Sequence, residues 1–181
     1  VLLLHLSRGF PVCDFSYPAT GDWLTREPSP EAISMKTTGF LGIDIGTQGL
    51  SVIFTDEGMR ILAAGSGDYA MVPGLPPECQ EQLPADWERA LATAMRELRH
   101  NLTAAGNDPE VLAIGISGQM HGEVLVDSGG VPLAAARLWC DGRNEAEGHE
   151  LTEALGTKIP KRMTAARWLW TVRNQPEKAA R

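Results

Sequence analysis

One short stretch of the sequence combines residue types that suit phosphate chemistry. Residues 42–49 read Gly-Ile-Asp-Ile-Gly-Thr-Gln-Gly and lie between two apolar runs. The Asp44 carboxylate suits a hydrated divalent cation, and a tight turn from Gly46 to Gly49 suits a phosphate, toward which it directs backbone N–H groups and the Thr47 hydroxyl. An ordinary hairpin in which Asp44 is only a turn residue explains the same pattern.

A second polar segment follows the continuous apolar run 111–116. It spans residues 117–122 and reads Ser-Gly-Gln-Met-His-Gly. A polar tip between glycines at the end of a buried strand is where α/β proteins usually bind ligands. Taken alone, however, a single loop histidine such as His121 is more often a surface residue than a ligand-binding one.

The elements around the first segment are predicted to form a β-meander. Apolar runs indicate strands at 40–45, 50–55 and 60–64, with a turn at 56–58 between the last two. The glycines of the first turn are expected to provide a permissive backbone for a tight connection.

A long amphipathic helix is predicted between the two polar segments. It begins at Pro84 and ends near Gly106. Its apolar residues recur at three- and four-residue spacing: Trp87, Leu91, Ala94, Leu98 and Leu102. The run 111–116 that follows predicts a strand buried on both faces.

The remaining elements are shorter. Residues 123–126 resume an apolar strand, and the turn 127–130 closes a hairpin. A second helix is predicted over 145–155, ending at Gly156. Asp141, just before it, is interpreted as a helix cap.

Two common nucleotide-binding motifs are excluded. Residues 65–70 fit the dinucleotide pattern Gly-x-Gly-x-x-Ala, but that pattern requires a following helix, which Pro73 prevents. No P-loop lysine motif occurs in the sequence, so a nucleotide would not be bound in the P-loop manner.

Composition narrows the function classes. Sixteen Lys and Arg against 23 Asp and Glu give a net charge of −7, which argues against a nucleic-acid or anionic-membrane partner. Cys13, Cys79 and Cys140 are widely spaced and odd in number, as expected for reduced thiols in a cytoplasmic protein. No apolar run approaches the roughly 20 residues that span a bilayer.

Residues 1–34 differ from the rest of the chain. They contain four prolines and show no sustained periodicity or motif. We expect this segment to be unstructured or non-native, with Met35 as the natural start of the protein. A genuine disordered N-terminal extension is the alternative.

Four segments in order carry a family resemblance. They are Asp-x-Gly-Thr at 44–47, Glu-Gln-x-Pro-x-x-Trp at 81–87, Gln-Met-His-Gly at 119–122 and the tryptophan-rich run 163–177. The chain from residue 40 onward resembles the FGGY carbohydrate kinases of the actin-like ATPase superfamily, and within them the xylulokinases. One position departs from the family pattern, because Arg167 stands where Lys is expected.

The resemblance implies an α/β domain of RNase H/actin-like fold: a β-meander, a helix, a buried strand and further helices. Residues 35–181 would be an incomplete N-terminal kinase domain, without the second domain and the catalytic-base Asp. The intact relative would phosphorylate a ketose with ATP and Mg²⁺, and this piece would be inactive alone. A possible homodimer is implied for the full-length protein.

The resemblance also implies residue roles. Asp44 would be the catalytic-site carboxylate that holds Mg²⁺ through water, and the nucleotide phosphates would contact Gly46, Thr47, Gln48 and Gly49. The sugar would contact Gln119, Met120, His121 and Asp141. Alternatives are a sedoheptulose or ribulose kinase, a non-catalytic actin-like nucleotide-binding module, or a plain α/β domain without a ligand.

Overall fold

The computed structural model describes residues 2–5 and 35–181. The strands are β1 (Leu2–His5), β2 (Met35–Ile45), β3 (Gly49–Asp56), β4 (Ile61–Asp68), β5 (Glu81–Gln82), β6 (Asn107–Gly118) and β7 (Ala136–Arg137). The helices are α1 (Pro84–Ala104), α2 (Glu145–Leu155), α3 (Thr164–Asn174) and α4 (Pro176–Ala179). The predicted α/β class is confirmed.

The main sheet has the strand order β1-β6-β2-β3-β4, and β5 and β7 form a separate two-stranded sheet. Strands β2, β3 and β4 form the predicted antiparallel meander, while β6 lies parallel to β2. A parallel pair needs a long crossover connection, and α1 lies within the connection from β4 to β6. This topology brings the ends of β2 and β6 to the same edge of the sheet.

Helix α1 lies directly on strand β4 because two glycines leave room for its backbone. A Cβ atom added at Gly65 would lie 2.1 Å from the carbonyl oxygen of Ala94, and one at Gly67 would lie 2.3 Å from that of Ala90. The prediction ended this strand at residue 64, whereas β4 continues to Asp68. These glycines therefore serve helix–sheet packing, and the exclusion of a dinucleotide turn is confirmed.

The apolar core lies between α1 and the meander. Its buried members are Leu41, Leu50, Val52, Phe54, Ala63, Ala90, Ala94, Leu98 and Leu102. The predicted helix stripe is confirmed from Ala94 to Leu102, with Leu91 partly buried against the same core. Helix α1 begins at the predicted Pro84.

Two strand predictions need correction. In 111–116 only Ala113 is buried, because α1 packs mainly against β3 and β4 and leaves much of β6 less covered. Residues 123–126 form two isolated bridges, Glu123 to Arg137 and Val126 to Pro132, rather than a strand. Pro132 has no N–H to continue a ladder.

The second predicted helix coincides with α2, which ends at Gly156 in a left-handed conformation with φ of 62°. Its N-cap is Asn144, so the interpretation of Asp141 as the cap is wrong.

Part of the predicted N-terminal extension has structure. Residues Leu2–His5 form β1, which pairs antiparallel with β6. The rest of that segment, including Cys13, lies outside the described residues. Within the described part of the chain, Cys79 and Cys140 are free, and no helix is long and apolar enough to cross a membrane.

Candidate functional site

The two polar segments singled out from the sequence lie side by side. Because β2 and β6 are parallel and in register, Asp44 lies opposite Ser117 and Ile45 opposite Gly118. The backbone N–H of Gln119 donates to the carbonyl of Ile45 at 2.9 Å, which continues this pairing beyond the strand. Residues 46–49, hereafter the glycine turn, thus adjoin residues 119–122, hereafter the histidine loop.

The glycine turn is closed by a hydrogen bond from Gly46 N–H to the Gly49 carbonyl at 3.0 Å. Neither glycine has a positive φ, so conformational freedom is not what the turn requires. A Cβ at Gly46 would lie 3.1 Å from the Gly49 carbonyl oxygen, tighter than ordinary contact. The permissive-backbone explanation is therefore replaced by close approach of the backbone to itself.

Tyr69 fixes the turn from the adjacent strand end. Its hydroxyl lies within hydrogen-bond distance of the Gly46 and Gly49 carbonyls, and one proton can serve only one of them at a time. Burial, and then the nearby Asp44 carboxylate, raise the pKa of Tyr69 above its ordinary value of 10.0. The hydroxyl therefore remains a neutral donor at physiological pH.

Asp44 is an exposed carboxylate at the edge of the glycine turn. It has no hydrogen bond or ion pair with any other described residue, so its oxygens are available. No group of three or more His, Cys, Asp or Glu side chains assembles a metal site within residues 2–5 and 35–181. A single carboxylate fits Mg²⁺, which keeps most of its waters and uses one or two carboxylates together with substrate phosphates.

The histidine loop presents exposed side chains to the same region. Met120 retains 72% of its surface and His121 is exposed. His121 has a φ of 59°, a conformation that costs a residue other than glycine on the order of 1–3 kcal/mol. Backbone strain of this kind is concentrated at functional sites, and here it directs the loop sharply after the polar tip.

One cavity of about 470 Å³ contains both segments. It is lined by Asp44, Gly46, Thr47, Gly118, Gln119, Met120, His121, Trp139 and Arg162. Gln48 is exposed on the glycine turn but, like Gly49, does not line the cavity. Six of these lining residues were predicted as site residues from the sequence. Gly118, Trp139 and Arg162 were not.

The two missed side chains differ in how they are held. Trp139 is 47% exposed and its indole N–H donates to the Thr47 hydroxyl at 3.1 Å. Arg162 is exposed and, among the described residues, has no hydrogen bond or ion pair. A tryptophan two residues before Asp141 was a usable signal, whereas nothing in the sequence around Arg162 distinguished it from a surface cation.

Asp141 lies outside the cavity and is completely buried. Its carboxylate accepts from the Gln80 backbone N–H at 2.8 Å and from Arg143 Nε at 2.9 Å. Arg143 also donates to Glu81 at 2.7 Å. Burial alone would lower the pKa of Arg143, but the hydrogen bonds and charges of Asp141 and Glu81 outweigh burial and raise it.

Arg167, the departure from the family Lys, is also buried, at 1% exposure. It donates to the carbonyls of Arg137 and Leu138, directly before Trp139. Burial, and then the neighbouring Arg137, lower its pKa. Arg167 does not line the cavity, so its role in this structure is to hold the segment that carries Trp139.

The guanidinium groups of Arg137 and Arg143 both lie over the Trp170 ring. The guanidinium of Arg137 lies 4.5 Å from the Trp170 ring centroid and that of Arg143 lies 5.3 Å from it. Trp168 on the same helix is 45% exposed. The two tryptophans of α3 thus lie in different surroundings, Trp170 beside buried arginines and Trp168 at the surface.

The family model described as "FGGY family of carbohydrate kinases, N-terminal domain" matches residues 40–181. The chain is 35% identical to a xylulose kinase of Escherichia coli (strain K12) over 147 residues, which cover 76% of this chain and 29% of that protein. It is 32% identical over 145 residues to a xylulose kinase of Staphylococcus epidermidis, covering 76% and 28%. The chain thus spans less than a third of the length of these relatives.

Solved structures agree in fold. A crystal structure described as a xyloylose kinase from Brucella ovis superposes with a TM-score of 0.72 at 32% identity, covering 78% of this chain and 30% of that one. Plasmodium falciparum glycerol kinase with ADP gives 0.70 at 24% identity, covering 80% and 30%. The latter likeness concerns the fold alone.

Proposed function

This chain belongs to the FGGY family of carbohydrate kinases, and from that premise we propose that the intact protein transfers the γ-phosphoryl group of ATP to a ketose. D-xylulose is the first candidate, because relatives at 32–35% identity are xylulose kinases. Sedoheptulose and ribulose are the alternatives within the same reaction class.

The observation that carries the proposal is the shared cavity at the ends of β2 and β6. A free carboxylate and a backbone turn line one side, and the exposed histidine loop lines the other. Catalysis of phosphoryl transfer depends mostly on positioning and charge neutralisation. A cavity that presents a phosphate-type turn and a polar acceptor surface together is suited to that reaction.

On the nucleotide side, Asp44 would hold Mg²⁺ through a bound water. When bound, this ion neutralises charge on the phosphate oxygens. Gly46 and Thr47 would contact the phosphates directly, and Gln48 and Gly49 would complete the turn that shapes the contact. Arg162 would add a positive charge at the rim, which favours a phosphate over a neutral ligand.

On the acceptor side, Gln119, Met120 and His121 would line the sugar site. His121 would act as a hydrogen-bond partner of a sugar hydroxyl and Met120 through its shape. Trp139 would supply an aromatic wall beside them. We assign no general base among the described residues, and His121 is not given that role.

Asp141 enters this proposal in a different way from the sequence expectation. Its oxygens are engaged by Arg143 and the Gln80 backbone. We therefore infer that it acts on the sugar site by positioning the segment of Trp139 rather than by touching substrate.

We further propose that residues 35–181 form the N-terminal domain of a longer cytoplasmic enzyme and are inactive alone. The short span relative to the kinases it resembles supports this division. The greater part of residues 1–34 would lie outside the domain, and a homodimer of the full-length protein remains part of the proposal.

The test is an ADP-release assay on the full-length protein with Mg²⁺-ATP and a panel of D-xylulose, D-ribulose, sedoheptulose and glycerol. We expect the highest kcat/KM with D-xylulose. The highest kcat/KM with another ketose would identify that ketose as the substrate and leave the reaction class unchanged. Nucleotide binding without ADP release for any sugar would instead favour the non-catalytic module.

A further inference from the structure

The Gln82 side chain occupies the junction between the glycine turn and the histidine loop. It is completely buried, in the short strand β5. Its amide nitrogen donates to the Thr47 carbonyl at 2.7 Å. Its amide oxygen accepts from Trp87 Nε1 at 3.0 Å and from Gln119 Nε2 at 3.2 Å. One side chain thus touches both halves of the proposed site.

The direction of each hydrogen bond in this network follows from one fixed donor. An indole N–H can only donate, so the Gln82 atom facing Trp87 must be the oxygen. The nitrogen then faces the Thr47 carbonyl, which can only accept. The same logic makes Gln119 donate through its nitrogen, and its oxygen faces the Thr47 hydroxyl.

This network also determines which hydrogen bonds the Thr47 hydroxyl donates and accepts. Its hydroxyl accepts from Trp139 at 3.1 Å and donates to the Gln119 amide oxygen at 3.4 Å. The second contact is long and therefore weak. To donate to a phosphate oxygen, Thr47 must turn its proton away from Gln119, which precedes Met120 and His121. Phosphate contact and the histidine loop are linked through this one proton.

We propose that Gln82 is a positioning residue that couples phosphate occupancy of the glycine turn to the geometry of the histidine loop. This inference rests on the proposed function, since it takes the turn as a phosphate contact and the loop as a sugar contact. Gln82 holds the backbone of Thr47 with one end of its amide and the side chain of Gln119 with the other. It touches neither ligand.

The variant Gln82→Glu keeps the hydrogen-bond acceptor of the side chain and removes its donor. A carboxylate still accepts from Trp87 and Gln119, but it cannot donate and places an oxygen against the Thr47 carbonyl. Burial and the facing Thr47 carbonyl oxygen raise the pKa of the introduced carboxyl above the ordinary Glu value. Once protonated, it donates again. The defect in coupling therefore recovers as the pH falls.

The experiment uses the full-length protein and two measurements. The first is kcat/KM for ATP between about pH 6 and pH 9, where the variant is expected to lose about 100-fold at the upper end and to recover at least about tenfold at the lower. The second is the affinity for D-xylulose with and without Mg²⁺-ADP. We expect about a fivefold or greater enhancement in the wild type and its loss in the variant at high pH.

Gln80→Glu is the matched control, since it adds the same charge two residues away and the Gln80 side chain bonds only to the exposed Pro77 carbonyl. It should keep the wild-type pH profile and coupling. If Gln82→Glu does not fold, Gln82→Asn retains the amide but cannot span both partners, and should lose coupling at every pH.

An active wild type whose Gln82 variants keep wild-type coupling and pH dependence would overturn the inference and leave the proposed function standing. A wild type that phosphorylates no ketose would overturn the proposed function, together with the inference that rests on it. In the same assay, the wild type therefore tests the proposed function and the Gln82 variants test the inference.

Discussion

The molecule has two cores of opposite chemistry, and the proposed site lies between them. The core under α1 is apolar throughout, with Leu50, Val52 and Phe54 at 2% exposure or less. The core around α3 is built from three buried or nearly buried arginines, Arg137, Arg143 and Arg167, with carboxylates beside them. The glycine turn extends from the first, and Trp139 is held by the second.

The two cores should respond differently to amino-acid substitutions. Apolar packing is non-directional, so a lost side chain costs transfer and cavity energy in proportion to its size. A buried ion pair stabilises little in total, yet losing one partner is costly because the other charge remains without compensation. The apolar core should therefore supply most of the stability, and the ionic core should fix where Trp139 lies.

The largest expected effect is in the apolar core. Phe54→Ala removes a side chain that is 1% exposed, and we expect it to lower the free energy of unfolding by about 4 kcal/mol. Ile61→Ala, at a position 60% exposed on β4, should stay within about 0.5 kcal/mol. Urea titration of the full-length protein measures both. Equal effects would mean that α1 does not cover this core as described.

The next effect separates the ionic core from the apolar one. Arg143→Met leaves Asp141 and Glu81 without their cation and should cost about 3 kcal/mol. Adding Asp141→Leu should recover part of that loss, since it removes the completely buried unpaired carboxylate, while Glu81 stays without a cation. Tryptophan fluorescence during unfolding reports on this region, which contains Trp170. A double variant as unstable as the sum of the single ones would contradict the distinction.

Much of the apolar half was predictable from the sequence and little of the ionic half was. The periodicity from Trp87 to Leu102 identified α1, because burial of one helix face leaves a repeat in the chain. The hydrogen bond between Trp139 and Thr47 joins residues 92 apart and leaves no local pattern. Gln82 belongs to the predicted segment 81–87, but its contacts with Thr47 and Gln119 leave no local pattern either, and the same holds for the position of Arg162.

The predicted helix-capping role of Asp141 is wrong, since the N-cap of α2 is Asn144. Whether a carboxylate caps a helix, binds a ligand or pairs with Arg143 depends on what surrounds it in three dimensions. The position of the glycine turn was predicted correctly. The reason for Gly46 was not, because the backbone approaches itself closely there and φ is not positive.

A smaller effect concerns Arg167. Arg167→Lys restores the family residue but replaces a planar fork with a single ammonium that cannot serve the Arg137 and Leu138 carbonyls in the same geometry. We expect a loss of about 1 kcal/mol in the free energy of unfolding, with the KM for ATP unchanged. A raised KM without loss of stability would place this cation at a ligand, contrary to its burial.

An effect of similar size is expected at Tyr69, at the border of the two cores. Tyr69→Phe removes the donor to the glycine turn and should cost about 1 kcal/mol at about pH 8. Because the pKa of Tyr69 is raised in the folded protein, its contribution is full below pH 10.0 and is lost as the pH rises through the raised value. Unfolding measured across this range should show the difference between wild type and variant shrinking. A constant difference would contradict the assigned burial.

The central claim is that Asp44 and the histidine loop serve one phosphoryl-transfer site. Steady-state kinetics of Asp44→Asn in the full-length protein, with D-xylulose as acceptor, tests it most directly. We predict that kcat/KM for ATP falls by about 100-fold or more while the affinity for D-xylulose in the absence of nucleotide is unchanged. Asp108→Asn, the same change at the opposite end of the parallel strands, should behave as wild type. Undiminished ATP-dependent phosphorylation by Asp44→Asn would contradict the account.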